Sequence, residues 1–233
     1  MDERRFDMLA AAYVRGCALE TGAPELPARL ADAPLEELDE AELAALLRAG
    51  AASGLKLHAF KGTKTLLPRV KKVLGFLRGL DFDGLVDVGS GRGAFLVPFL
   101  AQFPDARAAA VDLLPHRAEF WRRLAAGGVP GLCSLCGDFA ALEFEPRSAD
   151  VVTLLEVLEH MPEPEAAVRQ AMRVARRFVV VSVPSQPDDN PEHIQLLTKA
   201  RLTALFAAAG CARLNFDGVN GHLILVASVP EEG

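Results

Sequence analysis

Aromatic side chains are scarce in this chain: one tryptophan, Trp121, one tyrosine, Tyr13, and thirteen phenylalanines among 233 residues. Sequence-tolerant binding of single-stranded nucleic acid needs stacking aromatics in a basic groove, and a formal net charge of −6 denies the second element to the surface as a whole. Cysteine is sparse too. Four of them, Cys17, Cys133, Cys136 and Cys211, do not make a disulfide framework in a chain this long. No apolar run approaches the length of a membrane span. The first residues, Met1-Asp2-Glu3-Arg4-Arg5, carry acids, and the short apolar run 8–14 is broken by Arg15, which argues against a signal peptide. These absences predict a cytoplasmic protein without membrane partners.

What remains is ordinary globular composition, 51% hydrophobic and 24% charged. The length suits one α/β domain with an extension. Charge is unevenly placed. Residues 1–55 hold eleven acids and five bases, whereas 56–78 hold seven bases and no acid: Lys56, Lys61, Lys64, Arg69, Lys71, Lys72 and Arg78. A short basic segment on an acidic chain points to an anionic ligand or a local contact.

Periodicity divides the chain near residue 80. The segment 1–79 reads as a helical extension or lid, with helices at 6–20, at 35–52 and from a Thr65 cap through 79. In the third, Leu66, Leu67, Val70, Val73, Leu74 and Leu77 form one buried stripe, with the bases expected on the other face. From 84 onward strands and helices alternate. Strands are expected at 85–88, 108–111, 132–136, 150–155, 178–183, 213–216 and 222–229, and helices at 94–103, 115–126, 163–175 and 199–209. The fold class is therefore α/β: a doubly wound, mostly parallel seven-stranded sheet over 80–233. The short connection 217–221 makes the last strand antiparallel.

The segment Val86-Asp87-Val88-Gly89-Ser90-Gly91-Arg92-Gly93-Ala94 joins the first strand to a helix. Glycines permit a sharp turn and close approach of a ligand, and the helix start presents free N–H groups. Asp112 ends the second strand, where it can accept hydrogen bonds from two ribose hydroxyls. This spacing suits NAD as well as S-adenosylmethionine.

The ordered set of motifs over about 84–229 resembles the class I S-adenosylmethionine-dependent methyltransferases, in the broad group that includes ubiquinone- and menaquinone-biosynthesis enzymes. Asp87-x-Gly89-x-Gly91-x-Gly93 resembles that family's first motif and Asp112 its ribose-binding acid. Gly137-Asp138-Phe139 resembles the adenine motif, with Asp138 at the exocyclic amine and Phe139 stacking. Residues 150–161, Asp150 to Met161, resemble the segment that borders cofactor and substrate. The resemblance implies S-adenosylmethionine as cofactor, held by Asp87, Gly89, Ser90, Gly91, Gly93, Asp112, Leu113, Asp138, Phe139 and Glu156. It implies a small-molecule methyl acceptor. The family's frequent Pro-Gly-Gly turn before strand five is replaced here by Ala175-Arg176-Arg177.

Methyl transfer needs alignment of a nucleophile with an activated carbon, and a base if the nucleophile carries a proton. Three candidates lie at the carboxyl edge of the expected sheet, where open α/β sheets bind ligands. His160 is first, Glu156 second, and His193, in the polar loop after strand five, third. Packing or helix capping is the bland reading of His160. His58, His116 and His222 read as structural or surface residues. A similar Glu-x-x-Glu-His with a later histidine occurs in metal-dependent RNA 3′-terminal 2′-O-methyltransferases, so Glu156, Glu159, His160 and His193 could hold a divalent ion. The same pattern also occurs in metal-free members of the broad family, and the expectation is no bound metal. Lys61, Lys64 or Arg69 could instead meet a carboxylate, of the cofactor or of an acidic acceptor. Cys133 and Cys136 lie within one strand and are expected to be buried, not zinc ligands. An NAD-linked oxidoreductase is the other rival; it is disfavoured by Gly137-Asp138-Phe139. Nucleic acid is disfavoured as a partner, and no oligomeric state follows from the sequence.

Overall fold

The structure is a computed structural model and describes residues 2–61 and 66–230. Eight α-helices are seen among these residues: α1 (Glu3–Thr21), α2 (Ala28–Asp32), α3 (Glu40–Ala52), α4 (Pro68–Arg78), α5 (Leu96–Gln102), α6 (Pro115–Ala126), α7 (Pro164–Val174) and α8 (Lys199–Ala208). The strands are β1 (Gly84–Val88), β2 (Arg107–Asp112), β3 (Leu132–Cys136), β4 (Ala149–Leu155), β5 (Ala175–Pro184), β6 (Arg213–Val219) and β7 (His222–Ser228). They form one sheet in the order β3-β2-β1-β4-β5-β7-β6. β1, β4 and β5 pair in parallel, and β7 runs antiparallel to both β5 and β6. This is the mostly parallel seven-stranded sheet that the alternating pattern predicts.

The chain forms two compact units, the first drawn from 1–66, 90–110 and 114–136, the second from 67–89, 111–113 and 137–233. In the first unit α1 lies against α6 at backbone distance. A Cβ on Gly16 would stand 1.8 Å from the Arg123 carbonyl oxygen, and one on Gly127 would stand 1.7 Å from that of Ala12. Only glycine allows this approach. Trp121 is fully buried there, edge-on to Phe120, which packs on Tyr13 and Phe60.

Strand interiors explain the second unit. Every residue of β1 is buried, as are six of the seven in β4 and the last six of β5, which is the signature of a sheet covered on both faces. α4 docks through residues spaced three and four apart. Val70, Val73, Leu74 and Leu77 are buried, the Phe76 ring meets Phe178 of β5 edge-on at 5.4 Å, and Lys72 pairs with Asp217 of β6 at 2.6 Å. The bases of α4 therefore do not all face away from the sheet. Two of them, Arg69 and Lys72, make ion pairs within this unit.

Four local expectations are corrected. The helix expected over 35–52 breaks after a 3-10 turn at Leu35–Glu37, because Asp39 starts a new helix with a reciprocal cap: its carboxylate accepts from the Glu42 amide at 2.8 Å, and Glu42 accepts from the Asp39 amide at 3.0 Å. The helix expected from 94 begins at Leu96, after three loop glycines in left-handed conformation. The β6–β7 turn is only Asn220-Gly221, both with positive φ, the conformation of a tight hairpin. Cys133 and Cys136 are exposed, since β3 is an edge strand, while Cys17 and Cys211 are buried. The expected Thr65 cap lies outside the described residues, and Leu67 precedes Pro68 at the start of α4.

Candidate active site

At the end of β1 the chain turns at Gly89, whose φ of 67° and whose neighbour both require glycine: an added Cβ would lie 2.6 Å from a Val157 methyl. Its N–H donates to the Val111 carbonyl at 2.8 Å. Asp87, one residue before Val88, is buried, and the Thr153 hydroxyl of β4 donates to its carboxylate at 2.6 Å. That bond fixes the side chain under the turn. Ser90 follows, accepting from the Gly93 amide at 3.0 Å, and Gly91 and Gly93 both have positive φ. Asp112 is buried at the end of β2 and its carbonyl accepts from the Gly137 amide at 3.0 Å. Leu113, next in sequence, is 66% exposed, an apolar side chain left open beside the acid. Asp138 is exposed and caps its own turn, accepting from the Ala140 amide at 3.0 Å. Phe139 departs from expectation. It is buried against Phe144, with ring centroids 5.6 Å apart, which makes it a packing residue with little open face for stacking.

The end of β4 carries the second group. Glu156 sits at φ 59°, left-handed for a residue with a side chain, and such strain is held where surroundings over-determine it. Its N–H donates to the Ser182 carbonyl at 2.9 Å, and the Ser182 hydroxyl donates to its carboxylate at 2.7 Å. The carboxylate also meets His222 Nε2 at 3.1 Å and lies 3.7 Å from Arg69 Nε. Glu156 is thus engaged on both oxygens, which argues against its service as a free base. His222, which reads from sequence as surface or structural, stands at this edge because it opens the antiparallel strand β7. Its position directly after Asn220-Gly221 is the available signal. His58 and His116 are exposed, as expected.

A 3-10 turn, Leu158–His160, follows. Glu159 is 1% exposed, and neither carboxylate oxygen has a hydrogen-bond partner among the described residues. Burial pushes its acid dissociation up to about 8; the negative charges of Glu156 and Asp188 add to this, while its own backbone amide and Arg69 oppose it. The loop after β5 brings His193 to it, with Nε2 4.0 Å from Glu159 Oε1. The loop is shaped by its own side chains: Asp188 accepts from the Asn190 amide at 3.1 Å and Asn190 from the Glu192 amide at 3.0 Å. It is tied down where the Ile194 amide donates to the Glu159 carbonyl at 3.1 Å and Gln195 donates to Met161.

Both imidazoles have one nitrogen anchored. His193 Nδ1 lies 2.8 Å from the Asp188 carboxylate and His160 Nδ1 lies 2.8 Å from the Glu192 carbonyl. Each partner is an acceptor, so each Nδ1 carries the proton and each neutral ring presents a lone pair on Nε2. The rings stand 4.9 Å apart at 63°. Glu159, His160 and His193 offer ligand atoms within 4.8 Å of one another, and Glu156 is not part of that group. Of the four residues joined by the sequence pattern, three converge and one belongs to a different cluster.

Comparison with known proteins agrees with this layout. Residues 86–180 match the family model of the methyltransferase domain. The ubiquinone biosynthesis O-methyltransferase of Neisseria meningitidis serogroup A is 27% identical over 177 residues, covering 74% of this chain and 73% of that one. The demethylmenaquinone methyltransferase of Roseiflexus castenholzii is 32% identical over 96 residues, 39% of this chain and 37% of that one. A SAM-dependent methyltransferase from Aquifex aeolicus shares the fold, with a TM-score of 0.58 at 19% identity over 71% of this chain and 91% of that one. The glycine turn alone suits two nucleoside cofactors, and a match that begins within β1 and ends within β5 decides between them: the chain is a class I S-adenosylmethionine-dependent methyltransferase.

Proposed function

We propose that the protein transfers the methyl group to a hydroxyl of a small-molecule acceptor, with His193 as the base. The observation that carries this is the 2.8 Å contact between Asp188 and His193 Nδ1. It occupies Nδ1, so that Nε2 is the nitrogen left to take a proton. As the oxygen attacks the methyl carbon, the carbon–sulfur bond breaks and S-adenosylhomocysteine leaves uncharged. The hydroxyl proton passes to Nε2, and Asp188 stabilises the imidazolium that results. His160, beside it, borders the same edge. The similarity to a ubiquinone biosynthesis O-methyltransferase supports an oxygen acceptor on a small molecule. In this reading Asp87, Gly89, Ser90, Gly91, Gly93, Asp112, Leu113 and Asp138 hold the cofactor over the domain 80–233. Residues 1–79 are its extension, and α4 borders the acceptor side. Four free cysteines suit a reducing cytoplasm, and no helix among the described residues is long and apolar enough to cross a membrane.

The test uses a panel of catechols and other small phenols, read as S-adenosylhomocysteine released. His193→Gln is expected to lower kcat by about 10²-fold or more with cofactor affinity intact. Unchanged kcat would remove His193 from the reaction.

A second reading has one observation in its favour. The buried carboxylate of Glu159, without a hydrogen-bond partner among the described residues, converges with two anchored imidazoles, a donor set suited to a divalent cation. The base reading expects no stoichiometric metal in the purified protein. About one divalent ion per chain, lost on His193→Ala, would favour the cation. An RNA acceptor gains nothing comparable, since Lys72 is taken up in an ion pair with Asp217 and the chain carries a formal net charge of −6.

A further inference from the structure

Arg69, Glu156, Ser182 and His222 form a cluster that base-assisted methyl transfer does not use. They come from four separate elements: the first turn of α4, the end of β4, the end of β5 and the start of β7. Each ionic side chain is roughly four-fifths buried, with 22% exposure for Arg69, 18% for Glu156 and 24% for His222.

The Ser182 hydroxyl and His222 Nε2 occupy the Glu156 carboxylate at 2.7 and 3.1 Å. His222 Nδ1 lies 3.0 Å from the Asn220 carbonyl. Both ring nitrogens therefore face acceptors. Arg69 Nε lies 3.7 Å from the Glu156 carboxylate, beyond hydrogen-bond length. Among the described residues it has no other hydrogen bond or ion pair. The Glu156 carboxylate is thus already hydrogen-bonded, and the planar guanidinium keeps its paired terminal N–H groups for something else.

Position decides what that is. In the order β1-β4-β5-β7 the cluster spans β4, β5 and β7, on the side away from the β1 glycine turn. The cofactor motif lies toward β1, which leaves this side to the acceptor. α4 is pinned there by Phe76 on Phe178 and Lys72 on Asp217, so Arg69 is placed by packing and is not a loose surface base.

We infer that Arg69 and His222, with Glu156 as their spacer and counter-ion, form a binding site for a carboxylate on the methyl acceptor. The substrate class is then a hydroxylated organic acid, with Arg69 making the bidentate contact. This deepens the proposed function and rests on its acceptor being a small molecule.

Binding of a probe tests it without turnover. Benzoate is titrated into the protein saturated with S-adenosylhomocysteine, with benzamide as the uncharged match. Benzoate is expected to bind and benzamide to bind at least about tenfold more weakly. Arg69→Gln and His222→Gln are each expected to lose roughly tenfold or more in benzoate affinity. Binding of 5′-methylthioadenosine, which lacks the amino-acid tail, shows that the variants are folded. Equal binding of benzoate and benzamide, no benzoate binding, or full benzoate affinity in Arg69→Gln would each overturn the inference. So would a loss of S-adenosylhomocysteine affinity in Arg69→Gln with methylthioadenosine binding kept, which would give the guanidinium to the cofactor. His193→Gln should leave benzoate binding intact, so failure of the base and failure of the carboxylate site read out separately.

Discussion

A carboxylate taken out of water holds a proton more tightly, and Glu159 is in that position, buried without a hydrogen-bond partner among the described residues and with its acid dissociation raised to about 8. The consequence for stability has a definite sign. The folded state binds this proton more tightly than the unfolded chain does. The contribution is therefore complete below the ordinary value of 4.5 and is lost as pH rises through about 8. Thermal melts in the presence of chelator should show the wild type losing stability between about pH 5 and about pH 9, and Glu159→Gln losing distinctly less. Equal slopes would mean that Glu159 is not buried as a neutral acid. This residue shows what sequence can reach at the smallest scale. Glu156, Glu159, His160 and His193 stand out as candidates by residue type alone, but their grouping does not. Spacing within one turn leaves open that Glu156 turns toward β5 while Glu159 turns inward, because a left-handed φ at Glu156 separates them. Asp188 has no local pattern to mark it and His222 only its place directly after Asn220-Gly221; each gains its role from a strand or loop brought back to the edge.

Elements are legible where periodicity is strong and less so where a single side chain decides a boundary. Asp39 splits a helix that apolar spacing alone would run through, and an exposed β3 follows from its place at the sheet edge, which no strand carries in its own sequence. Close helix approach is likewise a property of pairs. Gly16 and Gly127 each face a carbonyl of the opposite helix where α1 meets α6. Gly16→Ala should therefore destabilise by about 2 kcal/mol or more, since backbone must move to admit the methyl; urea unfolding with an unchanged midpoint would contradict the packing. Gly89→Ala meets both a positive φ and the Val157 methyl. It should weaken S-adenosylhomocysteine binding at least about tenfold while the far-ultraviolet circular dichroism stays folded. Retained affinity would show that the turn tolerates a side chain.

At the scale of the whole molecule the fold class is fully readable: the pattern changes near residue 84 to alternating strand and helix, and only a parallel, doubly covered sheet buries such strands. The insertion of β7 between β5 and β6 is half readable, since the hairpin is local but its pairing with β5 is not. The cofactor is readable from an ordered set of motifs, whereas the acceptor depends on side chains that meet only in three dimensions. The central claim is that the edge formed by Gly89, Asp112 and Asp138 binds the nucleoside of S-adenosylmethionine, and isothermal calorimetry tests it most directly. The account predicts micromolar binding of S-adenosylhomocysteine, no heat from NAD, and a loss of about 2 kcal/mol in Asp112→Ala as the ribose hydroxyls lose a charged acceptor. Binding of NAD without S-adenosylhomocysteine, or full affinity in a folded Asp112→Ala variant, would contradict it.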